Sequence, residues 1–174
     1  MKQPPFLNSC HRVQGLTRAW LVEDGKEPWG GKTKLQGTQA QGKAFEKKLV
    51  RSLLLQQLPQ GTLVLYNRWI EFFDSTGHHF AQPDILLTTP DEVFCLEVKR
   101  TQTPFAFDQL VYLYQPLLQK LWPTRRIILA QVCKNLRVHP GTGLCYSLNQ
   151  ARGIYLDPAK PIPTLHSQGE LYYD

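Results

Sequence analysis

Between Ala81 and Arg100 the chain reads AQPDILLTTPDEVFCLEVKR, and this stretch restricts the possible folds more than any other. Two apolar runs, Ile85-Leu86-Leu87 and Val93-Phe94-Cys95-Leu96, flank Thr89-Pro90-Asp91-Glu92. Short apolar runs around a proline-containing polar turn predict a β-hairpin. Antiparallel pairing sets the start of one strand beside the end of the other. Asp84 therefore meets Glu97 and Lys99 at one edge of the sheet. Glu97 and Lys99 are two apart and project from the same face. Two carboxylates and an ammonium at one point suit a hard divalent cation and a phosphate. Plainer roles stay open: Asp84 as a turn cap after Pro83, and Glu97 with Lys99 as a solvated strand face.

Around the hairpin the pattern predicts a helix from about 38 to 58, with Thr38 and Gln41 as a capping box. Ala44, Phe45, Leu49, Leu53 and Leu58 recur at helical spacing, and Pro59-Gln60-Gly61 ends the helix. Thr62 to Tyr66 reads as a strand, and Trp69 to Phe73 as another strand or its continuation. Ser75 to His79 reads as a turn. A second helix is expected from about 105 to 121, with Leu110, Tyr114, Leu117, Leu118 and Leu121 on one side and Pro116 as a kink. Ile127 to Val132 reads as a buried strand. Weaker strands are expected near Leu144 to Leu148 and Gly153 to Leu156. Helix, strands, helix, strand predicts an α/β fold, a mixed sheet flanked by helices.

With 174 residues, 42% of them hydrophobic, the chain suits one domain spanning 1–174. The core is expected at about 38–134, with an N-terminal arm at 1–37 and a β-rich C-terminal extension at 135–174. The arm either packs on the core or serves as a basic contact segment; Trp20 and Trp29 favour packing. Trp20-Leu21-Val22 is a candidate short strand. A net charge of +6 fits a polyanionic partner, although charge alone does not demand one. The four cysteines, Cys10, Cys95, Cys133 and Cys145, form no CxxC pair, which argues against a zinc or iron–sulfur centre. Cys95 and Cys133 read as buried thiols. The start of the chain lacks the apolar stretch of a signal peptide, and no run is long enough for a membrane span. A cytoplasmic setting is expected, nucleoid-associated if the source is prokaryotic or viral.

Pro83-Asp84 followed by Glu97-Val98-Lys99 resembles the signature of the PD-(D/E)XK nuclease superfamily, and the element order resembles its αβββαβ restriction-endonuclease-like core. Gly42-Lys43-Ala44-Phe45-Glu46 with Leu49 is similar to the helix pattern by which many members supply a further acid. The resemblance covers roughly 38–134. It implies metal-dependent hydrolysis of phosphodiester bonds in DNA, with Mg²⁺ as cofactor and Mn²⁺ as a substitute. By position, Asp84, Glu97, Glu46 and the Val98 carbonyl would hold the metal. Lys99 would position or activate the attacking water. As a plain alternative, Glu46 is an exposed charge among Lys43, Lys47 and Lys48.

Arg100, Gln109, Gln115, Arg125, Arg126 and Lys134 are weaker candidates for nucleic-acid contact. Gln109 to Tyr112 resembles a glutamine–tyrosine motif of RecB-like members, except that Leu113 stands where those place the tyrosine. His78 and His79 are candidate metal ligands, with plain solvent exposure as the alternative. DNA is the expected partner, with a homodimer or a partner protein also open. The expected activity is an endonuclease, with a catalytically inactive nucleic-acid-binding module or a nuclease subunit of a larger complex as alternatives.

Overall fold

The computed structural model describes residues 11–23, 28, 36–55, 58, 60–99, 104–133, 136–138, 145–147 and 164–166. Arg100, Lys134, Cys10, Trp29 and the strand expected at 153–156 lie outside them. The elements run β1 (Arg18–Leu21), α1 (Gly37–Leu55), β2 (Leu63–Tyr66), β3 (Ile70–Asp74), β4 (Gly77–Ala81), β5 (Ile85–Thr88) and β6 (Glu92–Lys99). There follow α2 (Pro104–Asp108), a π-helical stretch (Gln109–Tyr114), α3 (Gln115–Leu121), β7 (Arg126–Cys133), β8 (Leu136–Val138), β9 (Cys145–Ser147) and β10 (Thr164–His166). The chain is α/β. No described helix is long and apolar enough to cross a membrane.

The central sheet has the order β10-β7-β6-β5-β2. β5 pairs antiparallel with β2 and β6, while β7 pairs parallel with β6 and β10, so the sheet is mixed. The expected hairpin is present. Thr89 closes it: its N–H donates to the Glu92 carbonyl at 2.9 Å and its hydroxyl accepts from the Glu92 N–H at 3.0 Å. All four residues of β5 are buried, because both faces of this sheet are covered. On one face, Ile85, Leu87, Leu96, Val98, Ala130 and Val132 pack against Val50 and Leu53 of α1. On the other, Leu86 and Cys95 pack against Leu110, Leu113, Tyr114, Leu117 and Leu118. Strand alternation sorts the two sets.

Several boundaries differ from expectation. Helix α1 starts at Gly37 and ends at Leu55, so Thr38 lies inside the first turn and does not cap it, and Leu58 lies beyond the end. Ala44 is exposed. The strand at 70–74 does not continue β2. Asn67 adopts a left-handed φ of 56°, and the chain turns away from the central sheet there. β3 then joins β1 and β4 in a separate antiparallel sheet, ordered β1-β3-β4. His78 and His79 are not in a turn; they lie on β4. Near the C-terminus the expected strand at 144–148 is present at Cys145–Ser147.

The N-terminal segment packs on the core through Val13, Leu16, Ala19 and Leu21, as the packed-arm reading expects. Trp20 is nonetheless 38% exposed and donates its indole N–H to Glu71 at 3.0 Å. Pro116 explains the π-helical stretch. A proline cannot donate to the carbonyl four residues back and crowds it. The helix widens, and the Gln115 N–H reaches the Leu110 carbonyl five residues back. The Tyr112 carbonyl, left without its helical donor, accepts the Val13 N–H at 3.0 Å. The same residue that bends the helix thus offers the N-terminal segment an anchor.

Candidate active site

Asp84 directly precedes β5, and the Ile85–Leu96 pairing carried one step further sets it opposite Glu97. Facing residues of antiparallel strands share a side of the sheet. The Asp84 carboxylate accepts the Val98 N–H at 2.8 Å, which locks the end of β6 to the start of β5. Glu97 is 1% exposed and forms an ion pair with Lys99 through Oε1. Its Oε2 is buried without a partner among the described residues. The juxtaposition expected of Asp84, Glu97 and Lys99 is therefore present. Val98 presents its side chain to the opposite face, among the residues under α1.

Glu46 comes to this point from α1. Burial, and after it the Glu46 charge, raises the Asp84 carboxyl to about 6, against the pull of Lys99, the Val98 N–H and Lys43. Burial and the Asp84 charge raise Glu97 to about 8, although Lys99 opposes this. Lys43 donates to Glu46 at 2.6 Å and to the Asn67 side-chain oxygen at 2.7 Å, and lies over the Tyr66 ring. Three carboxylates thus share Lys99 and Lys43; burial, and after it the excess negative charge, drives Asp84 and Glu97 toward protonation.

Two further residues belong to this end of the sheet. Tyr114 is fully buried, and burial with the charges of Glu97 and Asp84 pushes its phenol well above the usual range. Its hydroxyl donates to the Gln82 carbonyl at 2.8 Å and accepts from Gln109 Nε2 at 2.7 Å. Gln82 is two residues before Asp84, so this chain of bonds holds the segment that presents the aspartate. Gln109 is paired with Tyr114, not Tyr112, because the π-helical turn brings residues five apart onto one side. Gln131 lies on β7 directly beside Glu97 and is buried, with its side-chain Nε2 unpartnered among the described residues. A lone amide inside the apolar run Ile127 to Val132 was the sequence signal for it.

None of the family models, curated proteins or solved structures compared with the chain matches it.

Other expected contacts fall elsewhere. Arg126 pairs in register with Glu92 and lies 3.5 Å from its carboxylate. Glu92 is five residues from Glu97 along β6, roughly 16 Å at ordinary strand rise. The parallel pairing of β6 and β7 thus carries Arg126, and Arg125 beside it, to the far end of the sheet from the acids. Gln115 is half-buried at the start of α3.

His78 and His79 part company on β4. His78 stacks on Phe73 at 4.4 Å between ring centres and bonds Glu71 at 2.7 Å. His79 is 5% exposed and joins Asp74 and His11, a group the sequence did not single out as one site. Burial works to raise the Asp74 carboxyl, but hydrogen bonds from Thr76 and His11 outweigh it and bring it to about 2.

Proposed function

We propose that this chain is a metal-dependent DNA nuclease of the PD-(D/E)XK type that cleaves internal phosphodiester bonds. The observation that carries the reading is the gathering of Asp84, Glu97 and Lys99 at one end of the central sheet, with Glu46 close enough to perturb Asp84. The arrangement of α1, β2, β5, β6, the second helical layer and β7 supports it, with β3 and β4 as an insertion between the first two strands of the αβββαβ order.

The donor set suits Mg²⁺, a hard cation that takes carboxylate and carbonyl oxygens and keeps several waters. The unpartnered Glu97 Oε2 and the surplus negative charge are what such an ion would satisfy. Asp84, Glu97, Glu46 and the Val98 carbonyl would hold it. When bound, a divalent cation lowers the pKa of a coordinated water and offsets charge on the scissile phosphate. Lys99 sits beside Glu97 with its side chain one-third exposed, where it can orient a water or a phosphate oxygen. Tyr114 and Gln109 hold the Gln82 to Asp84 segment in place. Gln131 stands beside Glu97 with its Nε2 unpartnered among the described residues, where it can hold the inner carboxylate oxygen of Glu97 across one water.

Plasmid and linear duplex DNA incubated with Mg²⁺ should be cut, and excess EDTA should abolish cutting. Cleavage that persists in chelator would exclude the metal mechanism. DNA binding that falls steeply with salt but never leads to cleavage in Mg²⁺ or Mn²⁺ would leave an inactive binding module on the same fold. Gln131→Leu should keep the fold, since it removes an unpaired buried amide. It should raise the Mg²⁺ concentration for half-maximal activity by about 10–100-fold, the usual effect of losing a residue that orients a ligand. An unchanged Mg²⁺ dependence would remove Gln131 from the site.

A further inference from the structure

His11, Asp74 and His79 offer three ligand atoms that all lie within 4.8 Å of one another, with His11 far in sequence from the hairpin that carries the other two. His11 precedes β1, Asp74 ends β3, and His79 lies on β4. His11 Nε2 is 2.8 Å from Asp74 Oδ2, and His79 Nε2 is 3.3 Å from Asp74 Oδ1. Two ligands on one tetrahedral zinc, each 2.0–2.1 Å from it, sit roughly 3.3 Å apart. The two contacts to Asp74 already stand at about that spacing, and the two imidazoles offer ligand atoms within 4.8 Å of each other. The Asp74 side chain is fully buried, and the imidazoles are 15% and 7% exposed. Thr76 Oγ1 lies 2.7 Å from Asp74 Oδ1 and 2.8 Å from His79 Nε2, on the side where a fourth, water ligand has a polar neighbour. His79 Nδ1 is buried with no partner among the described residues, so hydrogen bonds satisfy only one of its two ring nitrogens.

We propose that His11, Asp74 and His79 form a zinc site that clips the N-terminal segment to the three-stranded sheet. Two imidazoles and one carboxylate favour zinc over Mg²⁺, which prefers an all-oxygen site. The site is separate from the acids at Asp84 and Glu97, and it does not depend on the nuclease reading. Its role is structural: His11 adds a side-chain tie between the segment before β1 and the β3–β4 hairpin, beside the Ser75 N–H bond to the Gln14 carbonyl, and a metal bond is stronger than the hydrogen bond between His11 and Asp74.

The full chain, stripped with chelator and then dialysed against Zn²⁺, should retain one equivalent by elemental analysis. The Asp84→Asn/Glu97→Gln variant should retain it equally. His11→Gln, which alters the more exposed ligand, and His79→Gln should each lose it. Zinc at a hundredfold excess over Kd should raise the wild-type melting temperature by roughly 5–10 °C, a gain absent in His11→Gln. Zinc should also slow proteolysis near residue 11. Failure of the wild type to retain zinc would overturn the proposal. So would retention by His11→Gln together with loss in Asp84→Asn/Glu97→Gln. Should His79→Gln fail to fold, His11→Gln and the wild-type stoichiometry still decide.

Discussion

Glu97→Gln is expected to abolish Mg²⁺-dependent cleavage while making the metal-free protein more stable above pH 7. Activity should fall by roughly 10²–10⁴-fold, the range for removing a group that acts directly on the reacting centre. The stability gain follows from burial. Glu97 is 1% exposed and its carboxyl is raised from 4.5 to about 8. Below about pH 4.5 it is protonated whether the chain is folded or not, and its charge costs nothing. Between 4.5 and 8 the unfolded chain releases the proton and the folded chain keeps it. The unfolded state then binds fewer protons, so stability falls as pH rises and levels off above about 8. Glutamine carries no charge to desolvate and removes this slope, leaving the smaller one from Asp84, whose carboxyl moves from 3.8 to about 6. A gain on the order of 2 kcal/mol at pH 8 corresponds to roughly 4–8 °C in melting temperature for a chain of this length. For the wild type, stabilisation by Mg²⁺ should grow with pH over the same interval. Melting curves from pH 5 to 9, with and without Mg²⁺, test both. A wild-type melting temperature that rises toward pH 8 without metal would show that Glu97 is not held near its neutral form.

Lys99→Met is expected to be as inactive as Glu97→Gln, with the opposite change in stability. Methionine replaces the stem but not the ammonium. Lys99 lowers both Asp84 and Glu97 and donates to Glu97 Oε1 in their ion pair. Without it, three carboxylates answer only to Lys43, and both buried acids move further up. The loss of stability should be about 1–2 kcal/mol at pH 8, less than for a fully buried pair because the lysine is one-third exposed. It should shrink below pH 5, where the acids are neutral. Cleavage should drop by roughly 10²–10⁴-fold, with DNA affinity in the presence of Ca²⁺ largely retained. Full activity in Lys99→Met would end its assigned role. The contrast between neighbouring variants, one stabilised and one destabilised, separates loss of charge repulsion from general damage to the fold.

The hairpin was readable because its signals are local. The turn residues, the apolar runs and the two-residue period lie within twenty consecutive positions, and antiparallel pairing then leaves little freedom for Asp84 and Glu97. The two helices were readable by spacing, but their details were not. Thr38 looked like a cap from its neighbour three residues on, yet the helix begins one residue earlier. The π-helical stretch depends on Pro116 together with an N–H from Val13, which is over a hundred residues away. The Gln109–Tyr114 pair follows from that stretch, whereas the motif resemblance pointed to Tyr112. Arg125 and Arg126 were misplaced because a strand's composition does not say which end lies beside a given neighbour. Register with Glu92 decides that.

Chain order alone was enough to bring Asp84, Glu97 and Lys99 together, since one hairpin joins the strand segments that carry them. What it could not contain was distance across the fold. His11, Asp74 and His79 carry no shared motif; they meet because β1 pairs with β3 and β3 with β4. Gln131 looks like an odd polar residue until β7 lies down beside β6. The protonation of Glu97 likewise follows from no local pattern. It arises because helices and strands close over both faces of the sheet and take its carboxylate out of water.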